Sequence, residues 1–300
     1  MKLQKALEKA KKYRKQQDPG VVPKRRAPQP ERQAPAQQRS EPPAADTAGL
    51  DFKLVRSKES PRWTSPVYSK SVNAMADADV LKRNRCICIE PDSAEAECYK
   101  FLRAKIQSQA VKNDRRTVLI TSPTPGDGKT LTAVNLALVM ARAYDQTVLL
   151  VDCDLKRQRV HKSFGIQSVC GLQDYLTAEA PLDRTIVWPG IEKLSFISGG
   201  DTVSNSAELL GAPRMKTLVT ELKNRYTDRI VLLDSPPVLS GADTLALAPL
   251  VDCIVMVVSE GRTTMRDVRL AMETLPPEKI LGFVMNRQKN ESLNKYYYRI

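Results

Sequence analysis

Residues 117–141, TVLITSPTPGDGKTLTAVNLALVMA, pass from a short apolar run, through a loop containing Gly126 and Gly128, straight into a segment of helical period. This strand–loop–helix order is the context in which a glycine-rich loop closes on phosphate oxygens. The glycines let backbone N–H groups approach, and the new helix adds its positive end. Lys129 then supplies a point charge to the β- and γ-phosphates of a nucleotide, and the Thr130 hydroxyl is placed to ligate Mg²⁺. The expected nucleotide contacts are Pro125, Gly126, Asp127, Gly128, Lys129, Thr130 and Leu131. The general pattern G-x-x-x-x-G-K-S/T asks for glycine at position 123, where this chain has Pro123, and a ligand-free strand–helix turn is the bland alternative.

Beyond about residue 76 the chain supplies a sheet for that loop to sit on. Apolar runs with the length of buried strands occur at 117–121, 147–151, 194–198, 229–233, 253–258 and 279–285. Helical patterns at about 93–111, 129–143, 206–225 and 263–275 separate most of them. Short apolar runs alternating with helices imply βαβ units and a sheet buried on both faces. The expected fold is α/β: a doubly wound, mostly parallel sheet of the P-loop NTPase type, with a disordered basic N-terminal extension.

Carboxylates gather where such a sheet binds ligands. The run VLLVDCD puts Asp152 and Asp154 at the carboxyl edge, and RIVLLD puts Asp234 there. An acidic residue after a strand beside a P-loop is the expected Mg²⁺-side ligand, usually through water, so Thr130, Asp152 and Asp234 are the expected metal residues. One Asp after a strand is ordinarily a helix cap or turn former; three around one P-loop point to chemistry.

The chain carries 47 Lys and Arg against 34 Asp and Glu, and residues 1–60 hold 15 of the basic and 7 of the acidic side chains. With most of the excess in that arm, a nucleic-acid-binding surface over the globular part is not expected. Leu3, Ala6, Leu7 and Ala10 fall at helical spacing, so residues 1–15 are expected to form a basic amphipathic helix, either solvated or docking weakly to a membrane surface or partner. Residues 16–75, rich in Pro and Gln, lack any period and have few large apolar residues to offset ordering entropy, which predicts a disordered linker. The folded domain is then 76–290, followed by a flexible tail, 291–300, that carries Tyr296, Tyr297 and Tyr298. No run approaches the ~18 consecutive apolar residues of a membrane span, and the amino terminus lacks the apolar core of a secretory signal. Six cysteines without a CxxC pair and a single histidine, His161, offer no zinc cluster. The cysteines read as buried thiols of a reducing, cytoplasmic compartment.

Three motifs together resemble the Walker A, A′ and B set of the bacterial tyrosine kinases: SPTPGDGKT (122–130), VLLVDCDLKR (148–157) and VLLDSPP (231–237). The likeness runs from about Glu97 to the carboxyl terminus and includes NSAELLGAPRM (205–215), PPVLSGADTLALAPLVD (236–252), GRTTMRDVRLAMETL (261–275) and KILGFVMNR (279–287). The departures are Lys156, where the A′ motif usually has Arg, and a tail of only three tyrosines. Members of that family are cytoplasmic autokinases of capsule and exopolysaccharide synthesis. The resemblance therefore implies an ATP- and Mg²⁺-dependent protein-tyrosine kinase that phosphorylates Tyr296, Tyr297 and Tyr298 of a neighbouring copy. It implies Lys129, Asp152, Asp154 and Asp234 as catalytic residues, with Asp152 or Asp154 taking the phenol proton and Asp154 the first choice. It further implies adenine contacts from Asn286 and Arg287, and a homo-oligomeric ring joined through an EX2RX2R-like element, Glu97, Lys100 and Arg103, in which Lys replaces the middle Arg. A separate membrane polysaccharide co-polymerase is the implied activator, holding the chain peripherally at the inner membrane. The amino-terminal helix is similar to that of an exosortase-associated subgroup.

Partitioning and cell-division-site ATPases share the deviant P-loop, but their additional signature lysine would fall at position 124, which is Thr124. A positioning ATPase switch of that kind and a non-catalytic ATP-binding scaffold for the co-polymerase are the two alternative functions.

Overall fold

The computed structural model describes residues 71–288, apart from 91, 111–114, 144–145 and 169. The amino-terminal helix, residues 16–70 of the linker and the tyrosine tail lie outside the described residues. The described strands are β1 (Val72–Asn73), β2 (Thr117–Thr121), β3 (Thr147–Asp152), β4 (Ile186–Trp188), β5 (Leu194–Ile197), β6 (Arg229–Asp234), β7 (Cys253–Ser259) and β8 (Ile280–Asn286). They form one sheet in the order β1-β4-β5-β3-β6-β2-β7-β8, parallel throughout except between β4 and β5. All six expected strands are present. The two unexpected ones, β1 and β4, are only two and three residues long, too short to show a period. The strand β1 begins inside the stretch expected to be disordered, so ordered chain starts before residue 76: Val72 pairs with Val187, and the Ala74 N–H donates to the Trp188 carbonyl.

The helices are α1 (Ala78–Arg83), α2 (Ala94–Ala110), α3 (Lys129–Ala141), α4 (Val160–Ser163), α5 (Leu172–Leu176), α6 (Leu182–Thr185), α7 (Ser206–Gly211), α8 (Pro213–Asn224), α9 (Asp243–Leu247) and α10 (Met265–Thr274). The single helix expected over 206–225 is two. Pro213 holds Ala212 in the extended region, φ −67° and ψ 151°, and then opens α8 at its first position, where the missing N–H costs nothing.

Every residue of β2, β3 and β7 is buried, which is why these strands read as unbroken apolar runs. Alternate side chains feed two layers. Val118, Ile120, Val148, Leu150 and Leu232 join α3 on one face, while Leu119, Leu149, Val151, Val231 and Leu233 meet Met215, Leu218 and Leu222 of α8 on the other.

The helix α3, which the P-loop feeds, is buried at all ten positions from Thr132 to Ala141. Its one amide is fully paired. The Asn135 Oδ1 accepts from the Cys88 N–H (3.0 Å), and Nδ2 donates to the Arg85 and Leu131 carbonyls (3.0 Å each), tying the segment before α2 to this helix. Asn135→Ala strands those groups in the core and is expected to cost about 2–4 kcal/mol, since a buried unpaired backbone group costs roughly 1–3 kcal/mol. Urea denaturation checks it, and a loss below about 0.5 kcal/mol would show that water replaces the amide. Cys86 and Cys88 are buried nearby, and burial pushes both thiols up to about 12. The expectation of buried thiols holds for four cysteines. Cys98, however, is exposed on α2, and Cys170 is half-buried.

Candidate active site

The parallel order sets the site. The strand β2 lies between β6 and β7, and β6 lies beside β3, so the P-loop emerges next to the acidic ends of two strands. Asp152 and Asp234 are direct cross-strand neighbours. In the loop, Gly126 and Gly128 have φ of 85° and 96°, the left-handed region where a Cβ is penalised. Side chains would also collide here, with the Arg262 guanidinium at Gly126 and with the Asn286 amide at Gly128.

The Asp127 side chain is engaged within the protein, leaving its backbone as the part that could meet phosphate. That side chain is buried, accepting from the Thr124 N–H (3.1 Å), the Thr124 hydroxyl (3.0 Å) and the Thr263 hydroxyl (2.8 Å), so it stiffens the loop from within. Asn286 and Arg287, for which adenine contacts are expected, lie against the P-loop and donate to its carbonyls: Asn286 Nδ2 to Asp127 O at 2.8 Å and Arg287 to Gly126 O at 3.0 Å. Arg262 adds a third such bond, to Pro125 O at 3.2 Å. The sequence does not announce Arg262 or Thr263, because their partners lie 136 or more residues away.

Lys129 joins the acidic groups. Its Nζ lies 2.9 Å from Asp154 Oδ2 and 3.8 Å from Asp234 Oδ1, and it also reaches the Thr130 hydroxyl at 3.3 Å. Burial alone would favour the neutral amine, but the charges of Asp234 and Asp154 outweigh it and hold the Lys129 pKa above its ordinary value. Asp152 is wholly buried, and burial together with the Asp234 charge raises it to about 7 against the pull of the Val160 and Arg159 N–H groups. Burial likewise raises Asp234, opposed chiefly by Lys129. Among the described residues Lys129 is thus the one cation within ion-pair distance at an edge that holds three carboxylates.

That shortage of positive charge fits Mg²⁺, the cation that accompanies a bound triphosphate. Both Asp234 oxygens are buried without a hydrogen-bond partner of normal geometry, an arrangement that costs free energy unless a ligand completes it. Among the described residues no three His, Cys, Asp or Glu form a cage able to hold a metal alone. Mg²⁺ does not need one, since it takes one or two carboxylates and fills its shell with phosphate and water.

The expected interface residues lie apart from this edge, on α2. Glu97 and Lys100 pair with each other along the helix, and Arg103 Nη1 donates to the Val139 carbonyl (2.9 Å) in the last turn of α3. Arg103 is therefore partly engaged inside its own chain. Tyr296, Tyr297 and Tyr298 lie outside the described residues.

A family model described as an AAA domain matches residues 115–275. The chain is 34% identical over 220 residues to the tyrosine-protein kinase YwqD of Bacillus subtilis (strain 168), covering 73% of this chain and 92% of that protein. It is 29% identical over 210 residues to the tyrosine-protein kinase Etk of Escherichia coli (strain K12), covering 69% of this chain but only 28% of that longer protein. The solved kinase domain of E. coli ETK superposes with a TM-score of 0.62 at 26% identity, covering 75% of this chain and 93% of that one.

Proposed function

The chain belongs to the bacterial tyrosine kinase family, and from that premise we propose that it is an ATP- and Mg²⁺-dependent autokinase that phosphorylates Tyr296, Tyr297 and Tyr298 in trans. The observation that carries this reading is Lys129, held between Asp154 and Asp234 beside a braced glycine loop. ATP binds with its phosphates against residues 125–131. Thr130, Asp152 and Asp234 would hold Mg²⁺, which would supply charge neutralisation at the phosphate oxygens. Lys129 moves its charge onto the β- and γ-phosphates.

A phenol with an ordinary pKa near ~10 stays protonated at neutral pH and needs a base. Asp154 suits that role better than Asp152. Both Asp152 oxygens are committed, Oδ1 to the Asp154 N–H (3.2 Å) and Oδ2 to the Arg159 and Val160 N–H groups (2.9 and 3.0 Å). Among the described residues Asp154 accepts hydrogen bonds from the Arg157 N–H (3.0 Å) and from Lys129, the lysine that a nucleotide would draw away. The phenol oxygen attacks the γ-phosphorus as its proton passes to Asp154, and the bond to the β-phosphate oxygen breaks to release ADP.

The family's place in capsule and exopolysaccharide synthesis extends the proposal to the pathway and to a membrane polysaccharide co-polymerase as partner. No helix of the described residues is long and apolar enough to cross a membrane, so membrane contact is assigned to that partner and to the basic arm. Glu97 and Lys100, with the remaining donors of Arg103, are proposed to join subunits into a ring. The expected limits, 76–290 for the catalytic unit and 291–300 for its tail, complete the reading once β1 (Val72–Asn73) is added to the former.

Incubation of the full chain with Mg·ATP, followed by mass-spectrometric mapping of phosphopeptides, tests it. Phosphate on the peptide carrying Tyr296, Tyr297 and Tyr298 is expected, and replacement of all three by Phe should remove it. ATP hydrolysis without phosphotyrosine would favour a positioning ATPase; nucleotide binding with no turnover would favour a scaffold.

A further inference from the structure

Asp243 is a buried carboxylate that the chemistry above does not use. It opens α9, in the loop region after β6, and is 2% exposed. Two groups from other loops close on it. Lys156 Nζ, from the loop after β3, lies 3.0 Å from Oδ2, and the Ser206 hydroxyl, at the start of α7 after β5, donates to Oδ1. One carboxylate thus gathers the loops that follow three neighbouring strands at the sheet's carboxyl edge. Any side chain at Gly241 would press on it, since a Cβ there would stand 3.1 Å from Oδ2.

Lys156 is two residues from Asp154, and the intervening Leu155 is fully buried. The stretch is pinned at each step: Asp154 accepts from the Arg157 N–H, the Leu155 carbonyl accepts from the Val203 N–H (3.4 Å), and Lys156 is held by Asp243. The nucleotide loop is braced separately, by Thr263, Arg262, Asn286 and Arg287 from the β7 and β8 side. Two independent supports therefore hold the two halves of the site.

We infer that Lys156 and Asp243 are positioning residues for phosphoryl transfer: their ion pair, completed by Ser206, holds the Asp154 loop and the loops after β5 and β6 in register on the acceptor side, while nucleotide binding is fixed elsewhere. The inference rests on the kinase reading. A displacement of about 1 Å in a catalytic group can cost on the order of 10²-fold in rate, so release of this pair acts on turnover.

The test uses the full chain as wild type, Lys156→Met, Lys156→Arg and Asp243→Asn. It measures kcat and the ATP KM for tail phosphorylation, together with nucleotide affinity and Tm. Lys156→Met is expected to lower kcat at least about tenfold while ATP KM and affinity stay within about threefold, the signature of lost transition-state alignment. Lys156→Arg keeps the charge and should recover most of the rate, and Asp243→Asn should follow Lys156→Met. Because Lys156 is partly exposed, its variants should fold even if Asp243→Asn does not. Wild-type kcat in Lys156→Met overturns the inference, as does a loss that falls on ATP KM or affinity, or failure of Arg to rescue. A wild-type protein that makes no phosphotyrosine fells the kinase reading and this inference with it; phosphorylation by wild type with an indifferent Lys156→Met fells the inference alone.

Discussion

Lys129→Met should reduce tail phosphorylation by about 10³-fold or more, because it removes the cation that meets both the transferring phosphoryl group and the acidic edge. Among the described residues Lys129 is the one lysine or arginine within ion-pair distance of Asp154 and Asp234. Without it three carboxylates face the incoming triphosphate with no fixed positive side chain between them, so nucleotide affinity should fall as well. The isosteric methionine keeps the side-chain volume, and the glycine loop keeps its other braces, so the fold should survive. Phosphotyrosine analysis of the purified variant reads the result against wild type, with circular dichroism as the control for folding. Undiminished labelling would mean that the phosphoryl group travels elsewhere.

Asp154→Asn should lower kcat by about 10²- to 10⁴-fold, the usual contribution of a positioned general base, with nucleotide affinity changed only a few-fold. The asparagine can still accept from the Arg157 N–H and lie beside Lys129, so geometry is largely kept while basicity is lost. Binding of a fluorescent ATP analogue and tail phosphorylation, measured side by side, separate the two effects. Full activity in Asp154→Asn would move the proton to Asp152 or remove the need for a base.

The acidic edge beside the P-loop was legible because its parts are local. Asp152 and Asp234 end apolar strands, Asp154 follows two residues on, and Lys129 and Thr130 open the helix after the glycine loop; a parallel sheet brings such strand ends to one side. Strand positions were legible for the same reason: β2, β3, β6 and β7 are covered on both faces, and burial writes itself as continuous Val, Ile and Leu. What stayed hidden is long-range pairing. Thr263 reaches Asp127 across 136 positions, and Lys156 reaches Asp243 across 87. No spacing rule connects such residues. Asn286 and Arg287 belong to the same class: their bonds to the loop's own carbonyls, 159 and 161 positions away, carry no sequence signal. The break at Ala212 could have been read from Pro213 alone, since the residue before a proline avoids helical geometry.

The enclosure of α3 on every side has a consequence for drift. Ten consecutive positions, Thr132 to Ala141, offer no outlet where a longer or charged group could swing into solvent. Substitutions tolerated on an amphipathic helix are therefore closed to this one, and change must be diverted to its surroundings. Among diverging copies, this segment should alter by methylene-sized steps while the outward face of α10 wanders freely.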